Sequence, residues 1–183
     1  MDSFGDNGGW DESVTYWKYG TQYLYQYIQA LESATGVDYG YMNVPHIGKT
    51  SLFPMYMSTK NGVIGFGDGD PHSLLSINEL SYAAKKLKDK GYLNLRIYQI
   101  DEWEQPIRVE DLLFYTPDGY EKETEWELDA YFDTTETLSF KGSWTDQFAT
   151  YVSLHGGRNY VNHGQLDIGT FTLDALGERW FCD

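Results

Sequence analysis

The feature that most constrains how this chain can fold is a change of hydrophobic period near Pro117-Asp118-Gly119. Before it, apolar residues recur three to four positions apart, as on one face of a helix. After it, they alternate with polar residues, as in a strand with one covered face. On the helical side, Trp17, Leu24, Ile28 and Leu31 predict a helix over residues 16–35, weakened by Gly20 and closed by Gly36. A second helix is expected over 48–58 with a kink at Pro54. Residues 62–71 read as a turn, a short extended piece and a glycine-rich loop. Ser76-Ile77-Asn78-Glu79 has the capping-box spacing and predicts a helix from Ser76 to about residue 90, stopped by Gly91. Another helix follows over 92–103, ended by Pro106. On the strand side, Trp126, Leu128, Ala130 and Phe132 alternate, as do Leu138 with Phe140 and Phe171 with Leu173. Residues 149–154 are rich in strand formers, and 175–178 form a tight turn into Arg179-Trp180-Phe181.

Helices first and strands afterwards predict an α+β arrangement of two segregated units, helical over 1–117 and antiparallel over 118–183. Some five strands are too few for a closed sandwich, so the sheet is expected to leave edges for something else to cover. The expectation is therefore a piece of a larger protein.

Charge narrows the partners. Thirteen basic residues stand against 28 acidic ones, for a net charge of −15. Such a chain repels polyphosphates, which argues against nucleic acid. An acidic polysaccharide would need a local basic cluster. The aromatic share of 17% is not that of a disordered chain. A single cysteine, Cys182, leaves no internal disulfide, and no apolar run is long enough to span a bilayer. Residues 1–9 are polar and glycine-rich, unlike a signal peptide.

The densest polar cluster, residues 156–167, falls between two predicted strands and holds Arg158, Asn159, Asn162, His163 and Asp167. A nucleophilic triad would need a Ser or Cys beside the imidazole, and no Gly-x-Ser-x-Gly is present. A closed metal site needs more ligands than His163 and Asp167. General acid–base chemistry needs only one or two titratable groups, and His163 suits it. The plain alternative is a polar turn that satisfies its own backbone. A second cluster, Tyr16, Tyr19, Tyr23 and Tyr27, is spaced by three, four and four and forms a phenolic stripe. It reads either as a packing wall between helices or as a sugar-binding wall with one Tyr as proton donor.

Gly8-Gly9-Trp10-x-Glu12-x3-Tyr16-Trp17-x-Tyr19-Gly20 resembles the DGGW-x-EG-x-x-YW-x-YG segment of heparinase II/III-like polysaccharide lyases. The run from Asn162 to Gly177 resembles their NHGHLDAGSFVLDALG segment. Phe66-Gly67-Asp68 and Gly142-Ser143-Trp144-Thr145-Asp146 look like family landmarks between them, in the expected order. The resemblance implies the end of an α/α toroid followed by the first strands of an antiparallel β-sandwich. It also implies cleavage of uronic-acid-containing glycans, of heparin or alginate type, by β-elimination without a redox or nucleotide cofactor. A secreted or periplasmic parent protein is expected.

Carried over by position, Tyr16 is the catalytic phenol, with Tyr19 as runner-up, and His163 is the imidazole that steadies charge or assists proton transfer. Arg158 and Asn162 are added from the loop itself as ligands for carboxylate or hydroxyl. Glu12 is expected to orient the site, and Tyr19 and Trp17 to line it. The zinc that some members bind uses a second imidazole where this chain has Gln165, a poor ligand, and an Asp matched by Asp183. No zinc is therefore expected. The family's Asn/His pair that neutralises the substrate carboxylate lies upstream of Trp10, and His46 and His72 do not match it. The expectation is a lyase whose isolated segment is inactive, or else a non-catalytic glycan-binding or scaffolding piece of the same fold.

Overall fold

The computed structural model describes residues 4–182. Six helices come first: α1 (Val14–Thr35), α2 (Pro45–Lys49), α3 (Phe53–Tyr56), α4 (Glu79–Leu87), α5 (Lys90–Asp101) and α6 (Val109–Phe114). A two-stranded hairpin, β1 (Ser58–Thr59) and β2 (Gly62–Val63), sits among them. Five strands follow: β3 (Asp129–Phe132), β4 (Thr137–Lys141), β5 (Tyr151–His155), β6 (Phe171–Ala175) and β7 (Glu178–Phe181). They pair antiparallel in chain order as a meander. Among the described residues, no helix is long and apolar enough to cross a membrane.

Helix α1 buries Val14, Trp17, Thr21, Tyr25 and Ile28, a stripe at helical spacing, while Leu24 and Leu31 lie at its margin. Gly36 ends it in the left-handed conformation, its N–H donating to Glu32 O at 2.8 Å. The helix expected over 48–58 is instead α2, a 3₁₀ turn (Thr50–Leu52) and α3, and Pro54 stands in the first turn of α3, where no donor is needed. The expected capping box is also corrected. Helix α4 starts at Glu79, whose carboxylate accepts two hydrogen bonds from Lys18 Nζ at 2.7 and 2.8 Å. Ser76 instead accepts from Arg96 at 3.0 Å. A lysine paired to a buried carboxylate outweighs a local cap.

Gly91 does not stop a helix either; it lies inside α5. Lys88, at φ 51°, turns the chain, and the Asp89 carboxylate caps α5 through Gly91 N–H at 3.0 Å. Asp89 also accepts from the Thr124 N–H and hydroxyl at 2.9 and 2.6 Å. A side chain on Gly91 would stand 2.3 Å from Thr124 O, so glycine there is demanded by the incoming strand of backbone. The segment leading to the sheet is thereby stitched to the α4–α5 corner. Helix α6 was not anticipated: its Val109, Leu112 and Leu113 are exposed, and the residue it buries is Asp111.

Twofold alternation runs through the sheet as expected, but its polar side packs on the helices. Ser139 Oγ and Tyr151 Oη both donate to Tyr56 O, at 2.8 and 2.9 Å, and Lys141 Nζ donates to Ser58 O at 2.8 Å. Arg179 donates to Val63 O at 2.9 Å and clasps Asp174 at 2.8 Å. The end of α3 and the β1–β2 hairpin present carbonyls that have no partner of their own, and the sheet supplies the donors. The apolar set (Leu138, Phe140, Val152, Leu154, Phe171, Leu173 and Phe181) lies on the outer face, where Phe140, Phe171 and Phe181 are about half exposed. At the β3 end the seam is apolar: Phe132 meets Phe53 and Tyr56 edge-on. The hairpin between β6 and β7 turns on Leu176 and Gly177, both at positive φ, the two-residue geometry that suits strand twist.

Candidate functional site

Two loops and the start of α1 meet at one end of the molecule. Trp10 packs over Gly20, where an added Cβ would lie 3.2 Å from its ring, so a glycine inside α1 makes room for the incoming chain. Ser13, at φ 118°, turns that chain into the helix without a side-chain cap. This strained entry presents Tyr16, half-buried, toward the loop after β5.

His163 on that loop stacks on Tyr16, with ring centroids 3.8 Å apart and planes 16° from parallel. The two residues are 147 positions apart in the chain. Asp68, from the glycine-rich loop after β2, accepts from His163 Nδ1 at 3.0 Å and from Gln165 Nε2 at 2.9 Å. Hydrogen bonds from Gln165 and then His163 hold the Asp68 carboxyl below its ordinary range. An ionised Asp68 only accepts, so Nδ1 carries a proton, and in the neutral imidazole Nε2 is then the nitrogen with the lone pair. His163 and Asp68 are 41% and 47% exposed, so the pair is reachable from solvent.

Backbone contacts lock the loops together. Asp68 N–H donates to His163 O at 3.1 Å, and Gly67 N–H donates to Asp167 Oδ2 at 2.5 Å. Behind them His155, stacked on Phe66 at 4.2 Å, is buried, and its pKa is pushed down by that burial. Gly67 has φ 57°, and a Cβ there would stand 2.5 Å from His163 O. Gly67→Ala is therefore expected to cost about 1–3 kcal/mol and to separate the two rings. Urea unfolding would show the first effect. Loss of the upfield ring-current shift on the His163 protons would show the second; an unchanged shift would refute it.

The other expected site residues divide. Arg158 and Asn162 are exposed on the same loop as His163. Burial raises the Asp11 carboxyl, and the charge of Arg158 partly offsets this, which puts Arg158 within electrostatic reach of the segment carrying Glu12. Glu12 is half-buried, its carbonyl lying against Gly67. Tyr19 is exposed and meets Tyr23 edge-on at 5.2 Å. Tyr19, Tyr23 and Tyr27 are all more than half exposed, so the stripe is not a wall between helices. Trp17 is corrected: it is fully buried, with Nε1 donating to Thr50 Oγ1 at 2.7 Å, and belongs to the core. Its indole faces away from solvent because i and i+1 on a helix point to different sides. Asp68 was read only as a landmark of the glycine-rich loop and missed as a working residue.

Gln165, in the place of an imidazole, turns its amide N–H to Asp68, and Asp183 lies outside the described residues. An amide donating a hydrogen bond does not fit a zinc ligand's role. Among the described residues, no group of three or more His, Cys, Asp or Glu side chains gathers as a metal site requires.

No protein-family model matches the chain. No curated protein matches it in sequence. Its fold is similar to a heparan sulfate lyase HepC mutant from Pedobacter heparinus, with TM-score 0.63, 17% identity, and coverage of 97% of this chain and 25% of that one. It is also similar to heparinase III, with TM-score 0.62, 16% identity, and coverage of 100% of this chain and 28% of that one. The chain thus spans about a quarter of the length of these two proteins, and at such identities what it shares with them is the fold: helices followed by an antiparallel sheet.

Proposed function

We propose that this chain carries the proton-transfer part of a polysaccharide lyase site acting on a glycan that contains uronic acid. The observation that carries the reading is the Tyr16 ring laid on the His163 imidazole, with Nδ1 held by Asp68. The likeness in fold to two lyases supports it. In that reading the helices are the closing part of an α/α toroid and the sheet opens a β-sandwich, with the border at residue 117. Zinc and other cofactors have no assigned role.

β-Elimination removes the C5 proton of the uronate and breaks the C4–O bond, leaving a C4–C5 double bond. His163 Nε2 takes the C5 proton, and the Tyr16 phenol protonates the departing oxygen. Arg158 and Asn162 reach the substrate carboxylate, whose neutralisation makes the C5 proton removable. They are the local cation and amide that a chain of such negative charge needs to hold an acidic glycan. Glu12 and Tyr19, on the same stretch of chain as Tyr16, flank the substrate.

The test is incubation of heparan-type and alginate-type chains with this protein and with a version extended upstream in its reading frame. Growth of the ultraviolet absorbance of an unsaturated uronate is the expected result for the extended version. Binding without any product from either version would favour a non-catalytic glycan-binding piece.

A further inference from the structure

His155 is the last residue of β5, and the loop that carries His163 closes on it. Its carbonyl accepts from Gly169 N–H at 2.8 Å, and its own N–H donates to Thr170 O at 2.9 Å. The side chain is 4% exposed. One face of the ring stacks on Phe66, the residue before Gly67. Gly157, at φ 48°, crosses the ring so closely that a Cβ there would stand 2.2 Å from Cε1. One imidazole thus touches both loops that build the Tyr16–His163 site.

Stacking on Phe66 accounts for a flat ring there but not for its nitrogens. Nδ1 is buried with no hydrogen-bond partner among the described residues, a cost that an apolar ring would not carry. Nε2 lies 4.0 Å from Asp167 Oδ1, beyond hydrogen-bond length but within reach of a dipole on a carboxylate. Burial keeps the imidazole neutral against the weaker pull of Asp167 and Glu136. A neutral imidazole has one proton, and a carboxylate beside Nε2 favours it there. The other oxygen of Asp167 accepts from Gly67 N–H at 2.5 Å, and the next N–H, that of Asp68, donates to His163 O at 3.1 Å.

We propose that His155 is a positioning residue of the Tyr16–His163 site: its Nε2–H steadies the Asp167 carboxylate, which grips Gly67 and so sets Asp68 against the His163 imidazole. Second-layer groups of this kind fix the orientation of the side chains that do the chemistry. The bearing of His155 on turnover rests on the lyase reading; its hold on the two rings does not.

The experiment is NMR on the full chain with its histidine rings labelled with nitrogen-15, repeated on two variants. His155→Phe keeps a flat ring on Phe66 and removes both nitrogens. His155→Gln returns an amide N–H near the place of Nε2–H. The unmutated chain is expected to show His155 as the Nε2–H tautomer. In His155→Phe the upfield ring-current shift of the His163 protons should fall by at least half, with the near-UV circular dichroism retained, and His155→Gln should restore most of it. A Nδ1–H tautomer in the unmutated chain would overturn the proposal without any variant having to fold. So would an unmoved His163 shift in His155→Phe, or a Gln variant no better than the Phe one, since either would mark the ring as packing alone. In a version that turns over glycan, His155→Phe should lower kcat about tenfold or more with KM little changed, as misplacement of a catalytic group does. An unchanged kcat beside a moved shift would take His155 out of the reaction. Failure of every version to turn over glycan would count against the lyase reading, and the NMR result would still decide this one.

Discussion

Arg96→Met is expected to remove about 3–5 kcal/mol of stability, a fifth or more of what a domain of this size commonly has. Arg96 is buried in α5, and all three nitrogens of its guanidinium donate hydrogen bonds. Nε and one terminal nitrogen clasp Asp111 at 2.9 and 2.6 Å, the other reaches Gln99 Oε1 at 2.6 Å, and further bonds go to Ser76 and Pro106 O. The substitution strands a buried carboxylate and takes one donor each from Gln99 Oε1 and Pro106 O. Because Asp111 also accepts from Arg108 N–H at 2.8 Å and from Ser81, the loss should spread to the start of α6 and to α4. Urea denaturation measures the cost; a change below about 1 kcal/mol would show the pair to be dispensable. Replacing both partners, as in Arg96→Met with Asp111→Leu, should recover much of the loss, since paired apolar groups bring no stranded charge.

The same pair gives a pH dependence of known sign. Burial alone would raise the Asp111 carboxyl, but hydrogen bonds from Arg96, Arg108 N–H and Ser81 outweigh it and hold the group below its ordinary range. A depressed carboxyl contributes stability that is complete above its unfolded value, near 3.8, and is lost as pH falls through the lower folded value. Asp89, whose burial is outweighed by Thr124 and Gly91, works in the same direction. Glu79 works against them: burial raises it despite Lys18, so acid relieves rather than costs there.

Tyr16→Phe, made in whichever version of the protein turns over glycan, should lower the rate by about 10²–10⁴-fold, the contribution of one positioned acid or base. The fold should not notice. Among the described residues the Tyr16 hydroxyl has no hydrogen-bond partner to lose, and the ring that stacks on His163 is retained in Phe. Initial rates with matched thermal melts separate the chemical from the structural effect. A variant within a factor of two of the unmutated rate would take the phenol out of the reaction.

Legibility differed by the range of the forces involved. Gly36, the Leu176-Gly177 turn and the alternation of the strands were readable because each is decided by a residue and its near neighbours. The capping box at Ser76 and the stop at Gly91 were misread because distant groups decide them: Lys18 takes Glu79, and Thr124 sits where a Gly91 side chain would go. Helix α6 escaped because its apolar residues face outward and the group it buries is an acid, inverting the usual signal. At the site, Tyr16 and His163 stack on one another, whereas Trp17, expected to line the site, turns inward. Asp68 becomes visible only once two loops nearly a hundred residues apart are brought together. Which side of the sheet faces the helices could not be read from alternation, because the period is the same for both sides.

That polar seam from β4 to β7 has a thermal consequence. Contacts made by excluding water from oily surface slacken in the cold, and their rupture raises the heat capacity. Donors seated on carbonyls behave otherwise: parting them exposes polar area, which lowers it. The β3 corner, around Phe132 and Phe53, should therefore be the first part of this junction to loosen on chilling, while the far strands keep their grip.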